Sequence, residues 1–173
     1  MRKFTIREKR HYCNYWWTKI FFPRYGYRKW EGKIKLSREC WWYPPRDEND
    51  LIDVNKICGV GFGFNHHKNS WRLGFIPKFD SVNVFEVYCY FYDSISKEHK
   101  SEKIGNIEAD REYLFEVVSN DMEYHVCIIG VGNVVFDNIS KDSKLQFTLY
   151  PYMGGDNTAI RDMYIYVELK YIK

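Results

Sequence analysis

The sequence is poor in the residues and patterns that several classes of protein require. Its 173 residues include only two alanines, Ala109 and Ala159, beside 15 tyrosines and 12 phenylalanines. Because alanine favours helices and aromatic residues favour strands, the composition favours a β protein. A run of about 18 apolar residues, which a membrane-spanning helix needs, is absent, and no apolar segment follows the basic N-terminus as in a signal peptide. We therefore expect no membrane partner and a cytoplasmic location, which for a phage-encoded chain is the host cytoplasm.

Cysteine pairs and catalytic motifs are also missing. The five cysteines are widely spaced and form no C-x-x-C pair, which predicts free thiols and argues against a disulfide framework or a zinc site. The sequence contains no G-x-S-x-G, H-E-x-x-H or P-loop motif. The nearest approach to the E-x-D-x-x-E strand of some glycosidases is Glu48–Asp53, which ends in Asp and follows Pro44-Pro45. We interpret it as an acidic turn and predict a protein that is not an enzyme and has no metal or cofactor, with a glycan-active hydrolase or lyase as a further alternative.

What the chain does contain is repeated two-residue alternation. Between Val82 and Tyr92, one predicted strand face carries Phe85, Val87, Cys89 and Phe91, and the other carries Val84, Glu86, Tyr88, Tyr90 and Tyr92. The C-terminal segment repeats the pattern, with Met163, Ile165, Val167 and Leu169 on one face. Further strands are predicted at 33–42, 56–64, 71–75, 100–107, 112–118, 123–129, 134–136 and 145–150. Turn-forming clusters separate them, so we predict an all-β, antiparallel jelly-roll sandwich with little or no helix, in a single domain spanning 1–173.

Two segments resemble a known group of proteins. The stretch from Asp53, DVNKICGVGFGFNHHKNSWRLGF, and the later LYPYMGGDNTAIRDMYIYVEL are similar to bacterial and phage jelly-roll proteins of the concanavalin A-like lectin/glucanase type. The resemblance covers about two-thirds of the chain and implies the fold more than an activity. It also implies carbohydrate binding on a concave sheet, by analogy with the group.

The first 46 residues carry most of the positive charge. They hold 13 Lys and Arg but only three acidic residues, a net charge of +10, together with five of the six tryptophans. Basic side chains among aromatic ones suit an anionic ligand with flat faces, which makes Lys33, Arg38, Trp41 and Trp42 candidate ligand-binding residues. The block is predicted to be an elaboration packed on the domain. A competing interpretation is that Lys33 and its neighbours protect an edge strand from aggregation.

A second group of candidates lies in the predicted strands and one loop. Gly59, Gly61 and Gly63 share one face of a strand and would leave a shallow trough beside a tyrosine wall. The tyrosine wall contributes the candidate ligand-binding residues Glu86, Tyr88, Tyr90 and Tyr92. The polar loop before Trp71 contributes His66 and His67, and Arg72 follows Trp71 as the last candidate.

The leading hypothesis from these residues is a non-catalytic protein that binds an anionic, stackable small molecule such as a nucleotide or nucleotide-derived signal, and that in a phage would sequester it. Arg72, His66 and His67 would hold the charge, and a tyrosine or tryptophan would stack the base. The runner-up is a lectin-like carbohydrate-binding module. The third hypothesis is a structural subunit whose Trp-rich N-terminus is buried in a homo-oligomer interface. Double-stranded nucleic acid is not expected as a partner because no recognition motif is present.

Overall fold

The computed structural model describes residues 1–13, 23–63, 69–92, 99–120, 123–137, 144–154 and 157–173. These residues form two six-stranded antiparallel sheets. In spatial order the first sheet contains β1 (Arg2–Ile6), β12 (Met163–Ile172), β3 (Lys29–Leu36), β8 (Tyr113–Ser119), β9 (Glu123–Ile128) and β10 (Gly132–Asp137). The second contains β2 (Arg24–Tyr25), β11 (Leu145–Leu149), β4 (Asn55–Phe62), β5 (Ser70–Pro77), β6 (Val84–Tyr92) and β7 (His99–Glu108).

Helical structure in the described ranges is limited to short pieces. A 3-10 turn spans Arg38–Cys40, and a single-turn helix, α1, spans Asn49–Ile52. No helix among the described residues is long and apolar enough to cross a membrane. The predicted all-β antiparallel sandwich is therefore confirmed.

The core lies between the two sheets, and the alternation in the sequence determines which side chains enter it. On β6, Phe85, Val87, Cys89 and Phe91 are almost fully buried, whereas the tyrosines between them are half-buried on the opposite face. Trp30 of β3 stands at the centre, fully buried, with its ring 5.7 Å from Trp71 across the sandwich. All five cysteines are free thiols, as predicted.

The basic N-terminal block contributes strands to the body of the sandwich. β3 pairs with β12 on one side and with β8 on the other. Lys33 and Lys35 therefore do not protect a sheet edge, and that interpretation is wrong. The strand predicted at 33–42 also ends earlier, at Leu36, because the chain turns through the 3-10 segment after Ser37. β1 and β2 were not predicted, since neither shows a long alternating pattern.

A buried carboxylate, Asp50, holds together the segments around α1. Asp50 is 4% exposed, accepts a hydrogen bond from Trp42 Nε1 at 3.0 Å, and is paired with Arg46 at 2.6 Å. Asn157 also donates to Asp50, at 3.1 Å. Burial acts to raise the pKa of Asp50, but the hydrogen bonds from Arg46 and Trp42 outweigh it, so the pKa lies below its ordinary value.

Candidate functional site

The register of the second sheet brings several predicted residues together on its outer face. Gly59 of β4 lies opposite Arg72 of β5, and Arg72 lies opposite Tyr90 of β6. In the next row, Ser70 lies opposite Tyr92, which in turn pairs with His99 of β7. We call this surface, with Arg72 at its centre and Tyr88, Tyr90 and Tyr92 along β6, the tyrosine face.

Arg72 lies on β5, next to β4, the strand that carries the predicted glycine trough. A Cβ on Gly59 would stand 2.9 Å from Arg72 Cα and 3.0 Å from its Cγ, so glycine leaves the space that the arginine occupies. Arg72 is only 7% exposed, and its Nε lies 3.5 Å from Ser70 Oγ. Burial lowers the pKa of Arg72, while Tyr92, Tyr90 and Tyr152 act to raise it. The result is a cation held in a low-dielectric setting beneath the tyrosines, where its charge acts strongly.

Tyr90 is fixed by rings and charges around it. His99 stacks on it with centroids 5.4 Å apart and planes 19° apart, and Tyr92 meets it edge-on at 5.0 Å. Burial, followed by a hydrogen bond and charge interaction with Tyr92, raises the pKa of Tyr90 well above its ordinary value, against the lowering effect of Arg72. Tyr90 therefore keeps its proton at neutral pH and can donate it.

Lys56 joins the site from β4. Its ammonium lies 5.3 Å from the centroid of the Tyr90 ring. Burial, reinforced by the charge of Arg72 and opposed by that of Asp53, lowers the pKa of Lys56 to about 8. A lysine in this state is a proton acceptor near neutral pH, and it was not among the predicted site residues.

Glu86 and Tyr88 occupy one end of the tyrosine face. Tyr88 donates a hydrogen bond to Glu86 at 2.7 Å, and Lys103 pairs with the same carboxylate at 2.5 Å. Burial acts to raise the pKa of Glu86, but the hydrogen bonds from Lys103 and Tyr88 lower it below its ordinary value. Burial and the contact with Glu86 raise the pKa of Tyr88 to about 12. Glu86 is thus an ionised carboxylate that is already bonded to Tyr88 and Lys103.

The N-terminal block reaches this face through His11. Tyr152 pairs with Lys56 on one side and with Tyr12 on the other, and His11 stacks on Tyr152 at 5.7 Å with planes 18° apart. His11 Nδ1 is buried without a hydrogen-bond partner. Four residues of the site were not predicted from the sequence: His11, Lys56, His99 and Tyr152. Only strand pairing and the bridges to Tyr152 bring these distant segments together.

The remaining predicted residues lie elsewhere. Lys33 stands on the first sheet and pairs with Glu112 at 2.7 Å, and Arg38 pairs with Asp110 at 2.9 Å. Trp42 is buried in the core cluster, bonded to Asp50 as described above. Trp41 donates to the Lys78 carbonyl at 3.2 Å. His66 and His67 lie outside the described residues.

Within the ranges that the structure describes, no group of three or more His, Cys, Asp or Glu side chains is arranged to hold a metal ion. Cavities lie elsewhere among the described residues, including one of about 370 Å³ whose lining includes Phe4, Leu149 and Val167. Its lining includes Arg2 and Tyr150 but no lysine. We place the candidate site on the tyrosine face because Lys56, Arg72 and Tyr90 converge there.

Comparison with known proteins establishes the fold class. No protein-family model matches the chain, and no curated protein matches it by sequence. Among solved structures, an alginate lyase from Alteromonas sp. 272 aligns over 98% of this chain and 79% of its own, at 11% identity and a TM-score of 0.52. An alginate lyase from Klebsiella pneumoniae aligns over 83% of this chain and 59% of its own, at 11% identity and a TM-score of 0.58.

A third solved structure belongs to a different class of enzyme. A GH16 protein of the Bacteroides ovatus mixed-linkage glucan locus, solved with its product, aligns over 97% of this chain and 80% of its own, at 14% identity and a TM-score of 0.52. The chain thus has the jelly-roll fold of these polysaccharide lyases and glycoside hydrolases. It spans about three-fifths of the Klebsiella enzyme. At these identities the likeness establishes the fold.

These neighbours correct two predictions. The hypothesis of a nucleotide-binding protein is contradicted, because the three solved structures described above are alginate lyases and a GH16 protein, which agrees better with the carbohydrate alternative. The prediction that the protein is not an enzyme is contradicted by the same structures. The resemblance to the concanavalin-like type is confirmed in its fold, and nothing in the comparisons supports a phage origin.

Proposed function

We propose that the protein cleaves an anionic, uronate-containing polysaccharide by β-elimination on the tyrosine face. The single observation that carries the proposal is the buried cation of Arg72 beneath Tyr90 and Tyr92 on a sheet face of this fold. A β-elimination needs the uronate carboxylate to be neutralised, a base to remove the proton beside it, and an acid to protonate the leaving oxygen.

The tyrosine face carries positive charge that can neutralise a uronate carboxylate. Arg72 supplies a fixed positive charge, and Lys56 stands beside it near the Tyr90 ring. Both attract the carboxylates of a uronate chain, whereas a neutral glucan has no charge for them to attract. The stacked pairs His99–Tyr90 and His11–Tyr152 present flat rings against which sugar rings pack.

The same face is poorly suited to glycoside hydrolysis. A retaining glycosidase uses two carboxyl groups, one of them protonated as general acid with a raised pKa. Glu86, the carboxylate on β6 of this face, has a lowered pKa and is held by Lys103 and Tyr88. Tyr90 keeps its proton at neutral pH whereas Glu86 is ionised, so the proton donor of this face is a phenol and not a carboxylic acid, which favours elimination over hydrolysis.

The test is incubation with alginate, polygalacturonate and neutral mixed-linkage β-glucan, followed by two measurements. Reducing ends report any cleavage, and ultraviolet absorbance of the new carbon–carbon double bond reports elimination alone. We expect both signals on a uronate polymer and neither on the glucan. Tyr90→Phe, which removes only a hydroxyl, should lower the rate by about 100-fold or more, whereas Lys33→Arg on the opposite sheet should not change it.

Two results would contradict the proposal. Reducing ends on the glucan without a double bond would identify a hydrolase. Binding of polymer, measured by affinity electrophoresis, without cleavage of any polymer would identify a lectin-like module.

A further inference from the structure

The side chain of Lys56 is held over the tyrosine face by the backbone around it. The Lys56 amide donates to the Tyr152 carbonyl at 2.8 Å, and the Tyr152 amide donates back to Lys56 at 3.0 Å. A Cβ on Gly154 would stand 2.9 Å from Lys56 Nζ, so the absence of a side chain there leaves room for the amine. The amine is thereby placed beside the Tyr90 ring rather than extended into solvent.

The charges around the amine favour its neutral form. Arg72, on the adjacent strand, repels a second positive charge, and burial removes part of the hydration that an ammonium needs. Asp53 is the opposing negative charge. The titratable and charged groups that face or adjoin Lys56 from the surrounding elements are Asp53, Arg72, Tyr90, Tyr152 and His11.

We propose that the neutral amine of Lys56 is the proton acceptor of the elimination and that Tyr90 is the proton donor, an assignment that rests on the proposed function. The Lys56 nitrogen takes the proton from the carbon beside the uronate carboxylate. The electrons of that carbon–hydrogen bond form the new double bond, and the glycosidic carbon–oxygen bond breaks. The leaving oxygen takes the proton of the Tyr90 hydroxyl, and the tyrosinate and the ammonium afterwards exchange protons with water, so no other reactant is needed.

The roles of Lys56 and Tyr90 follow from pKa shifts in opposite directions. Burial raises the pKa of Tyr90 and lowers that of Lys56 to about 8, because burial disfavours the charged form of each group. At pH 8 about half of the Lys56 side chains are therefore neutral, compared with well under 1% of ordinary lysines. Pairs of groups whose pKa values are pushed apart in this way are how one site provides both an acid and a base.

The first experiment does not depend on activity. The folded protein is labelled briefly with acetic anhydride over a range of pH, and mass spectrometry measures acetylation at each lysine. We expect labelling of Lys56 to be half-maximal near pH 8. Lys33 of the same molecules should label only at higher pH, because its hydrogen bond to Glu112 raises its pKa above the ordinary value. Titration of Lys56 with the other lysines would overturn the proposal.

The second experiment replaces Lys56 by a group that keeps its charge and does not lose its proton. Lys56→Arg should lower kcat on alginate or polygalacturonate by about 100- to 10,000-fold with little change in KM. The wild-type rate should rise through pH 8 as Lys56 loses its proton, and this rise should be absent from the residual activity of the variant. Lys100→Arg, an exposed lysine on β7, is the matched control.

The outcomes separate the two proposals. Full activity in Lys56→Arg would show that Lys56 only binds the carboxylate. Loss of activity in His99→Gln with an unchanged rate in Lys56→Arg would assign the base to His99 instead. If Lys56 labels near pH 8 but the wild-type protein cleaves no polymer, the proposed function fails and the role of Lys56 in it fails with it.

Discussion

Lys56 is also the basis of the sharpest stability prediction. A lysine whose pKa is lowered from 10.5 to about 8 carries a charge that the folded state disfavours. The difference corresponds to about 3 kcal/mol at 1.36 kcal/mol for each pKa unit. Replacing Lys56 by methionine, which has a similar shape and no charge, should therefore stabilise the protein by up to about 3 kcal/mol at neutral pH.

The pH dependence follows from the sign of the shift. Because the folded pKa is depressed, the unfolded chain binds more protons than the folded one between pH 8 and 10.5, and wild-type stability should rise with pH in that interval. Below pH 8 the cost of the buried charge is fully present. The advantage of Lys56→Met should thus be constant below pH 8 and decline toward zero near pH 10.5.

The assay is urea denaturation of both proteins at pH 7 and at about pH 9.5, with free energies obtained from midpoints and slopes. Taking the difference between the two proteins cancels titrations that they share, such as those of the tyrosines. Lys33→Met is the control, because Lys33 is 40% exposed and its ion pair with Glu112 is screened by solvent, so the substitution should change stability little. A Lys56→Met protein that is no more stable at pH 7, or whose advantage does not change with pH, would refute the reasoning.

Two further substitutions test the geometry of the fold and the site. Gly59→Ala should cost about 1–3 kcal/mol and displace Arg72, because the new Cβ would meet the Trp71 carbonyl and the Arg72 backbone; a thermal melt and polymer cleavage check this, and wild-type values of both would show that the strands separate freely. Asp50→Ala should cost about 2–4 kcal/mol at neutral pH, because it leaves the Trp42 indole without its acceptor and removes the carboxylate that pairs with Arg46. Since the folded pKa of Asp50 is lowered, this contribution is present above about pH 4 and is lost as the pH falls through the folded pKa; a difference between the two proteins that stays constant in acid would contradict it.

The tyrosine face shows which parts of the candidate site can be predicted from the sequence. Alternation placed Tyr88, Tyr90 and Tyr92 on one face of a single strand, and the structure has them there. The same reasoning grouped Lys33, Arg38 and Trp42 with them by charge and composition, yet these residues lie in other parts of the sandwich. Local pattern specifies which side of its own strand a residue occupies, and it carries no information about which strands become neighbours.

The sequence by itself therefore determined the fold class, most of the strands and the inward face of each, because these depend on a two-residue period that is local to the chain. Only the tertiary structure decided that Lys56, Arg72 and Tyr90 meet on adjacent strands, and that β3 lies inside the first sheet. Strand order and burial are set by packing between segments far apart in sequence. Strand order and burial also determine the pKa values of Lys56 and Tyr90, and the chemistry that we propose depends on those pKa values.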